Sequence, residues 1–380
     1  MKVALVNTPC CEQEYTKFSE KWAFIEDEYI GVNIVHSLLE RGGCETVRCN
    51  ASDVESLLGE VLAAAPDVVM LSVMQTSART ARNLVGRLRD AGYGGKIFIG
   101  GWYAKLSWRK IFEECWPVDQ VCFTDAEGVL PSWIRNPDGE CQGIATYRNY
   151  KTIDGVVSIK LDDGVAWPQN YIRPKRDPGR KTYRIETSRG CPHSRCTFCS
   201  LSRANVIKGG WAPVPVETIL SEVKDIHRRY GATAFSLTDD DMLGPLEKAE
   251  ERAAELRGAF LSLPFEVKYS GSISVKAATN EKILDLLTES GLVQLGIGFE
   301  SADRDQLRRY CKQQTLEDNF IAAKNIAEPQ GEYWMGNDAY RTSARLMASV
   351  CHLYGKPFTS AEFASLKQTL VEKITAAANG

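Results

Sequence analysis

The sequence predicts an α/β protein with a doubly wound parallel sheet at its start, a partial (β/α) barrel after it, and an irregular helical tail. Three observations carry this. Apolar, β-branched runs alternate with segments of helical spacing, an order that builds parallel sheets with crossover helices. The alternation breaks over 141–180, where Gly, Pro, Asp, Lys and Arg suit an extended connector, and resumes at Tyr183. Cys191, Cys196 and Cys199 then fall within nine residues, just past the first strand of the second series. The implied domains are 1–140, a linker 141–180, a barrel part 181–328 and a tail 329–380.

In the first domain, Lys2 to Asn7 is an apolar run stopped by Thr8-Pro9, the pattern of a buried parallel strand. Ile30, Ile34 and Leu38 are spaced for a helix over 29–41 that ends at Gly42-Gly43. Strands over 45–49, 67–72, 96–99 and 119–124 follow, with helices over 54–65, 80–91 and 108–115 between them. Such a Rossmann-like sheet binds ligands at the carboxyl ends of its strands. The candidate loops are therefore 7–11, 72–77, 100–103 and 125–128, and Gly100-Gly101 lets backbone approach a bulky ligand.

In the second series, 183–187 alternates as a short strand leading to the three cysteines. Helices over 215–230, 246–261 and 280–290 alternate with strands over 233–237, 265–269 and 292–299. Ile219, Val223, Ile226 and Tyr230 form the apolar stripe of the first of these helices. Each strand ends in polar residues, as the active face of a TIM-type barrel requires.

Bulk properties narrow the function classes. A chain of 380 residues can bury two cores, and 44% apolar with 25% charged residues is ordinary for a globular protein. A net charge of −3 leaves no electrostatic footprint for nucleic acid or anionic membrane. No run reaches the length of a membrane span, and Met1-Lys2 leads straight into a strand, so a cytoplasmic location is expected. Twelve cysteines without a secretory signal suit a reducing compartment with metal-binding thiols. Cys10, Cys11, Cys44, Cys49, Cys115, Cys122, Cys141, Cys311 and Cys351 read as small hydrophobes, with Cys10-Cys11 also a candidate at the ligand edge.

Three clustered thiols are one short of a closed zinc site and of a four-thiolate iron–sulfur cluster. A cluster with three protein ligands leaves one iron open for a small molecule. Zinc held by the triplet with His193, or a structural loop without metal, are the other readings.

The residues around the triplet, Arg189-Gly190, Pro192 and Phe198, resemble the radical S-adenosylmethionine (SAM) enzymes. The family spaces its first two cysteines by three residues, whereas four, Pro192 to Arg195, stand between Cys191 and Cys196. The first domain resembles the cobalamin-binding domain that precedes the barrel in many of these enzymes. Its final Gly-Glu-Gly is Ala126-Glu127-Gly128 here, and the Asp-x-His-x-x-Gly signature of a cobalt-ligating histidine is absent. The resemblance covers about 1–326. It implies that Cys191, Cys196 and Cys199 hold a 4Fe–4S cluster whose fourth iron binds SAM. By the same resemblance Phe198 marks the adenine contact, Asp239 and Asp240 hold the SAM ammonium, and Ser272, Ser274 and Glu300 meet its ribose or methionine part. A solvated turn is the bland alternative for Asp239-Asp240-Asp241. The cobalamin contacts implied are Asn7, Ser72, Gln75, Thr76, Gly100, Gly101, Trp102, Glu127 and Gly128.

The implied reaction uses an electron from a flavodoxin- or ferredoxin-type donor to cleave SAM to a 5′-deoxyadenosyl radical. That radical takes hydrogen from an unactivated carbon of a small-molecule or peptide substrate, and methylcobalamin supplies a methyl group. A non-methylating rearrangement, cyclisation or sulfur reaction is one alternative, and a non-catalytic, truncated or chimeric binding module is another. Past 326 the pattern of fifth and sixth barrel strands is missing. Residues 344–357 resemble a fragment of a rhamnosidase-type glycoside hydrolase.

Overall fold

The protein is represented by a computed structural model that describes residues 1–9, 29–154, 182–204 and 210–327. Cys10-Cys11, the basic end of the linker and the hydrolase-like tail lie outside the described residues. Two compact units emerge. Among the described residues the first runs to Asp154, and the second begins at Thr182, with Arg203 and Ala204 grouped with the first.

The first unit holds β1 (Lys2–Asn7), α1 (Ile30–Arg41), β2 (Glu45–Cys49), α2 (Val54–Ala64), β3 (Val68–Ser72), α3 (Ala78–Asp90) and β4 (Lys96–Gly100). It continues through α4 (Trp102–Glu113), β5 (Gln120–Cys122), α5 (Leu130–Arg135) and β6 (Ile144–Ala145). The sheet order is β2-β1-β3-β4-β5-β6, parallel except for β6, which pairs antiparallel with β5. Apolar side chains leave both faces. Val6, Leu71 and Ile99 pack with Trp108 and Phe112, while Leu5, Met70 and Phe98 pack with Val32, Leu39 and Trp133. That two-sided burial is why these strands read as continuous apolar runs.

Three features differ from expectation, one being the short helix α5, which the sequence reading did not include. The helix expected from Trp108 begins at Trp102 and bends at Ser107, whose φ of −133° is not helical. The antiparallel β6 was not expected, because two residues carry no readable alternation.

The second unit holds β7 (Thr182–Ile185), β8 (Ser188–Gly190), α6 (Leu201–Ala204), β9 (Trp211–Pro213), α7 (Val216–Tyr230), β10 (Ala234–Leu237), α8 (Leu246–Leu261) and β11 (Lys268–Ile273). After it come α9 (Val275–Ala278), α10 (Glu281–Glu289), β12 (Leu292–Ile297), α11 (Arg304–Arg309) and α12 (Leu316–Ala327). Strands β7, β10, β11 and β12 form a parallel sheet in the order β12-β11-β10-β7, which is the partial barrel expected. Tyr183, Ile185, Phe235, Leu237, Tyr269 and Ile273 are buried, and the alternating Arg184, Ser236, Ser270 and Ser272 are only half-buried. One face is apolar and the other polar, which is the alternation seen in the sequence.

An unexpected two-stranded ribbon, β8 with β9, sits before and after the cysteines. Its three-residue strands contain Gly190 and Pro213, turn residues that hide a strand from sequence reading. Trp211 anchors the ribbon by donating its Nε1–H to the Asp241 carbonyl at 2.7 Å. A Cβ on Gly244 (φ +75°) would stand 2.7 Å from that indole, so only glycine fits there.

Candidate functional site

The first sheet reverses its strand order between β1 and β3, which is where doubly wound sheets open a ligand crevice. Register places Asn7 beside Ser72 and Ser72 beside Gly100, so three of the predicted residues form one row across that edge. Among the described residues a Cβ on Gly100 would meet nothing within 4 Å. Gly101 has another task. Its φ is +91°, and a Cβ there would stand 2.7 Å from the Val73 carbonyl oxygen and 2.8 Å from the Val73 nitrogen. Its bareness lets Val73 donate to the Gly100 carbonyl and Tyr103 donate to the Val73 carbonyl, both at 2.9 Å.

The other predicted residues of this edge are placed around it. Gln75 is exposed and Thr76 half-buried in the 3₁₀ turn Gln75–Ser77. Trp102 opens α4 with the Lys105 ammonium 5.1 Å over its ring. Lys105 also pairs with the buried Asp125, just before the turn Ala126–Gly128 in which Glu127 is buried and Gly128 exposed. Thr8, one residue past β1, keeps a buried hydroxyl without a hydrogen-bond partner among the described residues. Thr8 lies inside the predicted loop 7–11 without being singled out there, and sequence reading missed Lys105, whose only signal was adjacency to the loop 100–103. An open glycine face and an orphaned hydroxyl at one edge fit a large ligand that brings polar groups of its own.

In the second unit, Cys191 follows β8 directly, and all three cysteines of the triplet are half-buried free thiols. The extra residue of the spacing is absorbed in a tight turn. Ser194 takes φ +39°, in the left-handed region, and its hydroxyl donates to the Cys191 carbonyl. Burial pushes the Cys191 and Cys196 thiols up. At Cys196 the Lys312 ammonium opposes this, while the thiols of Cys199 and Cys191 and the Glu300 carboxylate add to it.

The loop is tied down from 309–312. Thr197 donates its backbone N–H to the Tyr310 carbonyl at 3.0 Å and its hydroxyl to the Arg309 carbonyl at 3.1 Å. The His193 ring nitrogen Nε2 lies 2.6 Å from the Cys311 carbonyl. That bond engages Nε2 of the histidine offered above as a zinc ligand. Among the described residues no three of His, Cys, Asp or Glu stand where one metal ion could be held, the triplet included. Three thiols on one loop are the donor chemistry of a cluster with one iron left open, so the residues present fit that group.

Several predicted SAM contacts make hydrogen bonds within the protein. Asp239 is buried, and its Oδ1 accepts from the backbone of Thr187 at 2.8 Å and Ser188 at 2.6 Å. Its Oδ2 accepts from the Thr187 hydroxyl at 2.6 Å. Burial pushes this carboxyl up to about 7, against three donors that favour its charged form. Asp239 therefore ties the end of β10 to the β7–β8 joint. Asp241 is also buried and pushed up to about 6, with Leu243 and Gly244 donating to its Oδ1. Asp240, between them, is exposed. Ser274 caps α9 by accepting from the Ala277 N–H at 3.3 Å, and Ser272 lies beside Gly296. Phe198 is 50% exposed, edge-on to Tyr310 at 4.9 Å, and leaves a face free for a ligand. Glu300 pairs with Lys312, a residue that sequence reading missed because it stands alone in a polar turn. Of the cysteines read as small hydrophobes, Cys44, Cys49 and Cys122 are buried, whereas Cys115 and Cys311 are exposed at helix ends.

Comparison with known proteins follows the same division. A family model for the B12 binding domain matches residues 28–133, and one for the Radical SAM superfamily matches residues 185–330. The chain is 24% identical over 308 residues to 4'-phospho-dehydrooxetanocin synthase of Priestia megaterium, covering 72% of this chain and 40% of that protein. It is 24% identical over 285 residues to the anaerobic magnesium-protoporphyrin IX monomethyl ester cyclase of Cereibacter sphaeroides, covering 69% and 44%. Cytidylyl-2-hydroxyethylphosphonate methyltransferase of Streptomyces wedmorensis is 25% identical over 138 residues, 35% of this chain and 24% of that protein. The fold matches the cobalamin-dependent SAM radical enzyme OxsB, solved with aqua-cobalamin and SAM, at a TM-score of 0.64 and 19% identity, covering 85% of this chain and 47% of that one. The chain thus spans less than half the length of the curated relatives it matches. None of these matches lends support to a glycoside hydrolase fragment in the tail. Among the described residues no helix is long and apolar enough to cross a membrane.

Proposed function

The chain belongs to the B12-binding radical SAM enzymes, and from that membership we propose that it cleaves SAM reductively and transfers a methyl group to an unactivated carbon. The substrate class is a small molecule or peptide, and the electron comes from a flavodoxin- or ferredoxin-type donor. The observation that carries the reading is the loop after β8, where three half-buried thiols lie within nine residues, inside the stretch 185–330 that matches the Radical SAM superfamily. When bound, the cluster supplies the electron that breaks a SAM carbon–sulfur bond, and cobalamin supplies the methyl group.

The residues of this chain do the rest. Cys191, Cys196 and Cys199 would hold the cluster, and the bonds from Thr197 and His193 to 309–312 fix their loop. Asp240 is the exposed acid of the three, and would meet the SAM ammonium. Phe198 offers an exposed ring beside the loop, and Ser272 and Glu300 lie at the ends of β11 and β12. Asn7, Ser72 and Gly100 would line the cobalamin edge, with Gly101 keeping that edge tightly packed.

A second reading is a non-methylating reaction on the same cofactors. The two matches spanning more than two thirds of this chain, a synthase and a cyclase, favour it, whereas the methyltransferase matches 35%. The experiment is anaerobic purification and reconstitution, followed by iron, sulfide and cobalt analysis. About four irons and one cobalamin per chain are expected. SAM labelled on its methyl group then separates the readings. Label carried into product supports methyl transfer, and deoxyadenosine formed without labelled product supports the second reading. Zinc, or no metal, would sink both.

A further inference from the structure

The turn after β12 holds Glu300 at φ +60°, a left-handed conformation that a residue with a side chain keeps only where its surroundings impose it. The surroundings are two buried amides. Gln314 Nε2 donates to the carbonyls of Gly298 at 2.9 Å and Phe299 at 3.2 Å. Asn319 Nδ2 donates to the carbonyls of Phe299 at 3.2 Å and Ser301 at 2.9 Å. This clamp folds the Glu300 carboxylate back over Gly298, where a Cβ would stand 2.4 Å from Glu300 Oε1 and 3.5 Å from Lys312 Nζ.

The carboxylate ends 3.3 Å from the Lys312 ammonium, in a pair whose side chains are only 17% and 23% exposed. On its other side Lys312 lies 6.0 Å from the centre of the Phe198 ring. Phe198 stands between Cys196 and Cys199 in the chain, and Lys312 follows directly on the segment bonded to Thr197 and His193. A cation is thus held at the cysteine loop from two directions, and the function proposed above makes no use of it.

We propose that Lys312 is a positioning residue for the redox centre: its ammonium, fixed by Glu300 and Phe198, raises the reduction potential of the iron–sulfur cluster held by the three cysteines. Reduction adds a negative charge to the cluster, and a nearby cation stabilises the reduced form. Partial burial keeps that attraction from being screened as it would be in water. Glu300 offsets part of the effect while holding the cation in place. The inference rests on the cluster reading of the preceding section and adds the residue that tunes it.

The test is an EPR-monitored redox titration of the reconstituted full-length chain without SAM. Lys312→Met should move the midpoint to more negative potential, Lys312→Arg should leave it near wild type, and Glu300→Gln should move it the opposite way to the Met variant. An unchanged midpoint in Lys312→Met, with iron and sulfide at wild-type levels, overturns the proposal and leaves the cluster reading intact. So does a shift of the same sign in the Met and Gln variants. If Lys312→Met fails to assemble a cluster, the Arg and Glu300→Gln arms still decide. A wild-type chain that takes up no iron and sulfide overturns the cluster reading itself.

Discussion

At the carboxyl edge of the first sheet, Asn7, Ser72 and Gly100 stand in one row with open space beside the glycine, whereas at the corresponding edge of the second sheet the polar residues largely bind one another. Asp239 is consumed by Thr187 and Ser188, Ser274 by its own helix, and Arg189 by a two-pronged bond to Glu186 at 2.8 and 2.7 Å. The first sheet is covered on both faces and keeps its shape through apolar packing. The second carries a small ribbon and a cysteine loop on its edge, and buried polar ties hold them there. A polar residue at a strand end can thus serve as a structural tie, as Asp239 does.

The largest effect expected is at the loop that those ties support. Cys199→Ala should remove a cluster ligand, lowering bound iron and abolishing deoxyadenosine formation from SAM; a variant that still cleaves SAM would falsify the cluster assignment. Next comes Asp239→Ala, which leaves three buried donors unpaired and should cost about 3 kcal/mol or more, read from urea unfolding. Asp239→Asn keeps one acceptor and should cost less. It also isolates a pH effect. The folded pKa of about 7 lies above that of an unfolded carboxyl, near 3.8. Stability from this group is therefore full below the unfolded value and is lost as pH rises through the folded one. Asp239→Asn should flatten the decline seen between those limits, and an equal slope in both proteins would show that Asp239 is not its source.

The first unit was legible in the sequence almost element by element, because each strand is a short apolar run and each helix is punctuated by glycine or a cap such as Asp53, which accepts from Ser56 at 2.8 Å. The three cysteines were legible as well, since their spacing is local. What could not be read is set by distance along the chain. Asp239 is spent on residues 52 and 51 positions earlier, and His193 on a carbonyl 118 positions later. The β8–β9 ribbon escaped because three-residue strands carry too little alternation. Lys312 escaped because an isolated lysine carries no pattern at all.

Two adjacent glycines sharpen the comparison at moderate cost. Gly101→Ala forces a side chain into a positive φ and against the Val73 backbone, and should destabilise the first unit by about 2 kcal/mol. Gly100→Ala meets nothing among the described residues and should change stability by less than about 0.5 kcal/mol. If cobalamin lies along that edge, Gly100→Ala should nonetheless weaken its binding in a spectral titration. A Gly100 variant that binds cobalamin as well as wild type would remove this residue from the ligand edge.

A modest further effect separates the two units by the sign of their response to acid. In the first unit burial, helped by Arg48 and opposed by Glu40, lowers His36 to about 4, and Arg48 Nε donates to its Nδ1 at 2.8 Å. A neutral imidazole is needed to accept that bond. Because the folded pKa lies below the unfolded value of 6.5, the stability this group confers is present above 6.5 and is lost as pH falls toward 4. With its partial exposure to water discounted, the loss should be about 1 kcal/mol. His36→Gln keeps an acceptor for Arg48 without a proton to gain, so it should retain stability at pH about 5 that wild type gives up. Acid thus loosens the first unit at His36 over a range in which it tightens the second at Asp239. Unfolding followed separately in the two units, with the acid-side slope of the first unchanged by His36→Gln, would show that another group sets it.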